Sequence, residues 1–206
     1  MRFITYIFAL LFVFSSFTFA SENTSTDPNQ ALHLLSSNTF TRLARDKLKL
    51  EAEPDYINVI IEEELIPYFD YKYAAYMVVG THLQKTTIAQ RNEFVEAFRV
   101  YLINAYGHIL LKYNQQTIEI LDNKAFKGKK IVIVPVRMQD NNGQVTQLGF
   151  KFRLNNKTGY WKVFDVIAEG VSMLDTKRSE FNPLIQKQGI DEVIKLLRQK
   201  NSAFES

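Results

Sequence analysis

Residues 131–168 read IVIVPVRMQDNNGQVTQLGFKFRLNNKTGYWKVFDVIA, and this stretch decides the fold class. From Val145 onward the side chains alternate: Leu148, Phe150, Phe152 and Leu154 point one way, Gln147, Lys151 and Arg153 the other. A period of two marks a strand with one face buried. Before it, Lys129 to Gln139 is apolar on both faces. After it, Tyr160 to Ala168 forms a further strand. The connections are short. Asn141-Asn142-Gly143 is a hairpin turn, because Asn and Gly tolerate positive φ, and Asn155 to Gly159 is the next. Strands this close in sequence pair antiparallel, as a meander. Thr117 to Leu121 adds a short strand in front.

Upstream the period becomes helical. Asp27-Pro28 is a cap followed by proline at the first helical position, and Leu32, Leu35, Thr39 and Leu43 extend that helix to about Lys49. A second helix starts near Asp55, carries Ile57, Ile60, Ile61 and Leu65 on one face, and stops at Pro67. Asp70 caps a third that ends at Gly80. Thr87-x-x-Gln90 is a capping box. Behind it, Phe94, Phe98, Tyr101, Leu102 and Ala105 predict one apolar stripe on a helix reaching about Tyr113, kinked or ended near Gly107. Two closing helices span Thr176 to Lys187 and Ile190 to Lys200. The expected class is α+β: a curved antiparallel sheet of about four to five strands covered by several helices.

The first twenty residues do not belong to that fold. Arg2, an apolar run from Phe3 to Phe14 and Thr18-Phe19-Ala20 have the layout of a secretory signal peptide cleaved before Ser21. The run is shorter than the roughly 20 residues of a spanning helix. The mature chain, residues 21–206, is expected to be one domain in an extracytoplasmic space. It has no cysteine, so its stability rests on its apolar core. Without Arg2 it holds 24 basic residues of the chain's 25 against 22 acidic ones, or +2. That dispersed charge excludes nucleic acid as the partner its composition points to. Lys127, Lys129, Lys130, Arg137, Lys151 and Arg153 have two readings, a surface for acidic partners and a solvated sheet face, of which the solvated face is preferred.

Catalytic signals are poor. His33, His82 and His108 show no metal-ligand spacing. Glu62-Glu63-Glu64 reads as a solvated helical face. Asp165 and Glu169 are paired acids near the end of the fourth strand, with no nucleophile or oxyanion device beside them, and are read as holding the sheet edge and its exit turn. Ser172 lacks the second glycine of a nucleophile elbow. No glycine-rich phosphate loop occurs. No enzyme, metal or cofactor is expected.

Three segments resemble the MlaC family of periplasmic phospholipid-binding proteins, the toluene-tolerance auxiliary family. The first comprises Pro54-Asp55-Tyr56, Glu64-Leu65-Ile66-Pro67-Tyr68 and Lys72-Tyr73-Ala74. The second runs from Val78-Val79-Gly80 through Ala89-Gln90-Arg91 and Ala97-Phe98-Arg99 to Ala105-Tyr106-Gly107. The third is Thr158 to Met173, with Trp161 and Ala168-Glu169-Gly170-Val171-Ser172-Met173, and continues to Thr176-Lys177 and Lys187-Gln188-Gly189-Ile190-Asp191. One departure is His82-Leu83, where many family members have a large aromatic. The resemblance implies an NTF2-like fold and a monomeric periplasmic carrier. Such a carrier shuttles phospholipid between an outer-membrane lipoprotein–porin complex and an inner-membrane Mla ABC transporter, and so maintains outer-membrane lipid asymmetry. Alternatives are a binding protein for another small hydrophobic solute feeding an ABC transporter, and an NTF2-like enzyme using Asp165 or Glu169.

A carrier must shield its cargo. Two long acyl chains represent on the order of 20 kcal/mol of transfer at about 0.8 kcal/mol per CH₂. An empty cavity large enough for both, near 1,000 Å³, would cost a comparable amount, whereas a domain has only about 5–15 kcal/mol in hand. The pocket is therefore expected to close in part or to stay filled. Its expected lining from the long helix is Phe98, Tyr101, Leu102 and Tyr106. The sheet is expected to add Ile118, Ile133, Leu148, Phe150, Phe152 and Val166, with Val171 and Met173 flanking the mouth.

Overall fold

The structure, a computed structural model, describes residues 25–112 and 116–204. The expected leader and the helix end near Tyr113 lie outside the described residues. Seven α-helices surround one five-stranded sheet among them. The strands β1 (Thr117–Ile120), β2 (Ile131–Gln139), β3 (Val145–Leu154), β4 (Trp161–Ala168) and β5 (Val171–Ser172) lie side by side in chain order, every neighbour antiparallel. This is the meander expected from the short turns.

Register settles which side of each strand faces the core. Val132 pairs with Phe152, Val134 with Phe150 and Val136 with Leu148. Val132, Val134, Val136 and Phe152 are all buried. The intervening residues of β2, Ile131, Ile133 and Pro135, point to the opposite, exposed face. β4 departs from simple alternation. Phe150 faces Val166 and Lys151 faces Asp165, but Phe152 faces Val163, so β4 carries one extra residue there. Such a bulge bends a strand and raises its twist. It also lets Val163, Phe164 and Asp165 be buried consecutively.

The helices are cut more finely than periodicity predicts. In α1 (Pro28–Arg45), the Asp27 carboxylate caps the amides of Asn29 and Gln30. The expected run to Lys49 breaks at Asp46, whose backbone is non-helical, and resumes as α2 (Lys47–Ala52). The expected second helix is α3 (Tyr56–Ile60), continued by a π-helical turn (Ile61–Leu65) and a 3₁₀ turn through Pro67. α4 (Tyr71–Val79) starts on Asp70 as expected, but the chain passes Gly80 directly into a 3₁₀ turn. α5 (Ile88–Leu111) opens on the predicted capping box and is not ended by Gly107. It does not bury one stripe: Phe94, Phe98 and Leu102 join the main core, while Ile103 joins a second cluster with Ile57, Ile61 and Ile66. α6 (Met173–Gln188) begins three residues earlier than expected, and α7 (Ile190–Phe204) follows after Gly189. α1 packs on the sheet, whereas α5 packs on α4 and α7.

The glutamate run is not merely solvated. Arg42 donates to the Tyr56 hydroxyl at 2.7 Å and pairs with Glu63 at 2.9 Å and Glu64 at 3.2 Å, while Arg99 pairs with Glu62. Arg42 and Arg45 also hold the Asp46 carboxylate. Hydrogen bonds from Arg45, then Arg42, keep Asp46 well below the usual carboxylate range. Its pairing therefore adds stability above the ordinary value of about 3.9, lost as pH falls through the lower folded-state value. Asp46→Asn is expected to flatten the acid limb of urea-unfolding stability below about pH 4 while leaving the limb above it parallel to the wild type.

Candidate functional site

α5 stands off from the sheet, and the gap between them is a cavity of about 190 Å³. One wall is the α5 row Phe98, Tyr101, Leu102, Ala105, Tyr106 and Ile109. The facing wall is Phe164, Asp165 and Val166 of β4, with Phe69 and Ala74 beside them. Met173, Leu174, Thr176 and Lys177 of the first turns of α6 complete it. Ile109 is 63% exposed and Met173 40%, so these two mark where the cavity opens to solvent. The aromatic row is ordered by ring contacts. Phe94 stacks on Phe98 at 5.9 Å and Phe98 on Tyr101 at 6.2 Å between centroids.

The acid in the lining serves the fold. Asp165 is buried and accepts from Ser172 Oγ at 2.7 Å and from the Leu174 amide at 3.0 Å. Ser172 in turn caps α6 by accepting from the Asp175 amide at 3.0 Å. These bonds fix the start of α6 against β4 and hence the cavity wall. Glu169 has φ 48°, and Gly170 follows at φ 80°, a two-residue turn between β4 and β5 that needs positive φ twice. Glu169 accepts from the Gln147 amide at 2.6 Å and donates its own amide to the Gln147 carbonyl at 3.0 Å. Asp165 is thus committed to the Ser172 hydroxyl and a backbone amide at the α6 cap, and Glu169 to a backbone amide of β3. Burial, and after it the Asp165 charge, raises the Tyr106 hydroxyl above its ordinary value, so it stays neutral in the cavity wall.

Of the residues expected at the pocket, Phe98, Tyr101, Leu102, Tyr106, Val166 and Met173 line this cavity. Ile118, Leu148, Phe150 and Phe152 belong to the main core outside the lining. Ile133 is on the other face of the sheet, 40% exposed, beside Gly149; an added Cβ on that glycine would lie 2.9 Å from Ile133 Cγ2. Periodicity could not settle this, because β2 is apolar on both faces. Val171 is 54% exposed in β5 and outside the lining. Sequence reasoning missed Ile109, one turn beyond Ala105 on the same row, and Lys177, hidden by being charged. Among the described residues no three His, Cys, Asp or Glu side chains gather as metal ligands, and no helix is long and apolar enough to cross a membrane.

Residues 34–199 match the family model described as MlaC protein. The intermembrane phospholipid transport system binding protein MlaC of Haemophilus influenzae is 30% identical over 178 residues, covering 86% of this chain and 83% of that protein. The toluene tolerance protein ttg2D of Pseudomonas putida is 35% identical over 108 residues, covering 52% of this chain and 49% of that one. The solved phospholipid-binding protein of Ralstonia solanacearum, in complex with a phospholipid, shares the fold at a TM-score of 0.78 and 19% identity, over 87% of this chain and 99% of that one.

Asp165→Ala is expected to lower unfolding free energy by roughly 2–4 kcal/mol, because a buried amide and a half-buried hydroxyl lose their acceptor. Asp165→Asn, which keeps one acceptor oxygen, should lose about half as much, as read from urea denaturation.

Proposed function

This chain belongs to the MlaC family, and we propose that it carries phospholipid through the aqueous space between two membranes. The acyl chains enter the cavity between α5, β4 and α6, and the headgroup stays at the mouth. The observation that carries this reading is the apolar, solvent-opening cavity in the fold of a family whose Haemophilus member is named a phospholipid transport binding protein. In this reading residues 1–20 direct export, residues 21–206 act in the periplasm, and the chain works as a monomer. The outer-membrane lipoprotein–porin complex and the inner-membrane ABC transporter are its donor and acceptor. The engagement of Asp165 and Glu169 with backbone and cap groups supports a carrier over a catalyst.

Size sets a condition on loading. At about 24 cal/mol per Å³, a cavity of 190 Å³ costs about 5 kcal/mol, which a domain tolerates. Pockets for drug-sized ligands span roughly 300–1,000 Å³. Two acyl chains therefore require α5 to move away from β4 and α6. The α5 contacts are with helices, so it can separate without breaking a strand pair.

Native mass spectrometry with lipid extraction, on protein purified from the periplasm without detergent, is expected to find near-stoichiometric phospholipid; another apolar molecule in its place would make the chain a binding protein for that solute. Ala105→Trp puts an indole into the α5 wall and is expected to cut retained phospholipid several-fold, with circular dichroism unchanged. Retention at the wild-type level would move the acyl chains to another part of the molecule.

A further inference from the structure

Lys177 is the one cation among the described residues that line the cavity. Its side chain is 25% exposed, so it reaches solvent from an apolar wall. It belongs to a chain of charges: Lys177 Nζ lies 2.7 Å from Glu180 Oε2, and Lys200 Nζ lies 2.8 Å from Glu180 Oε1. Two ammonium groups thus share one carboxylate, and the group carries a net positive charge where the Lys177 side of the cavity wall meets solvent. The Lys177 ammonium also lies over the Tyr101 ring, 5.1 Å from its centroid. An ammonium has three donors, and Glu180 takes one of them.

We propose that Lys177 is an anchoring site for the phosphodiester of the bound lipid, held at the junction between acyl chains in the cavity and headgroup in water. This deepens the carrier reading above and rests on it. A phosphodiester brings one negative charge, making two cations and two anions. It also offers acceptor oxygens to an uncommitted Lys177 donor. Glu180 keeps the lysine oriented when no lipid is present. Burial alone would lower the Lys177 ammonium, but the Glu180 carboxylate, and after it the neighbouring Tyr101, hold it above its ordinary value, so it remains charged near neutral pH. The contact leaves the rest of the headgroup untouched. It therefore distinguishes lipids with a phosphodiester from neutral lipids without discriminating among headgroups.

The test compares affinities of the purified protein for phosphatidylethanolamine and for diacylglycerol with identical chains, by displacement of a fluorescent lipid. The wild type is expected to favour the phosphodiester lipid by about tenfold, the size of one charge-assisted hydrogen bond. Lys177→Met should bring the ratio within about twofold, Lys177→Arg should keep most of it, and Glu180→Gln, which frees the cation, should enlarge it. An unchanged ratio in Lys177→Met, or none in the wild type, overturns the anchor while leaving the carrier standing. Binding of neither lipid by folded wild-type protein overturns both. Glycerol phosphate, which lacks acyl chains, is expected not to displace the probe; efficient displacement would assign the site to a free phosphate and overturn the lipid anchor.

Discussion

The extra residue in β4 is the constraint on which the rest depends. An uninterrupted strand would send Phe164 or its neighbours to the solvent face by simple alternation. With the register shift against Phe152, three consecutive residues are buried. Val163 continues the core, Phe164 reaches the cavity, and Asp165 arrives where it can hold Ser172 and Leu174. The end of β5 and the start of α6 are fastened to that carboxylate, while the Glu169-Gly170 turn is held by Gln147 of β3. The cavity exists because α6 is fixed to the sheet by hydrogen bonds while α5 leans on other helices.

This division of attachment makes the α5 wall the more separable of the two. The wall made by β4 and the start of α6 is tied by buried hydrogen bonds, whose loss leaves unsatisfied donors. The α5 wall is held by side-chain packing, including the ring row from Phe94 to Tyr101. Packing contacts can be exchanged for contacts with an acyl chain at little net cost, because both are apolar. Tyr106 packs against both hydrophobic clusters as well as lining the cavity, so displacement of α5 is felt by α3 and the π-helical turn beyond it.

Much of the architecture was legible because turns and caps carry local chemistry. Asp27, Asp70 and the Thr87–Gln90 pair start their helices where the residue types require, and Asn-Gly closes its hairpin. The bulge was not legible, because no glycine marks it and Val163-Phe164 looks like any apolar strand. The break at Asp46 was hidden for another reason: it depends on Arg42 and Tyr56, which only the folded chain brings together. The cavity divides likewise. α5 residues were recoverable from helical spacing, which finds inward-facing side chains. Spacing cannot tell a filled core from a gap, so Phe152 and Phe150 were grouped with Phe98. Lys177 escaped because a charge on a helix ordinarily signals solvent.

The outer side of β4 has a consequence of its own. It is covered in pieces: Trp161 donates to the Ser25 carbonyl, Asp70 donates to the Val163 carbonyl, and Ile167 and Ala168 pair with β5. Three separate segments thus occupy hydrogen-bonding groups that another strand would otherwise seek. At the opposite margin β1 is only four residues long and carries Glu119, tied to Arg137. Short and charged margins resist templating by foreign strands. A sheet protected at both margins leaves few free backbone groups for a strand of another chain to pair with, so folded copies resist edge-to-edge association.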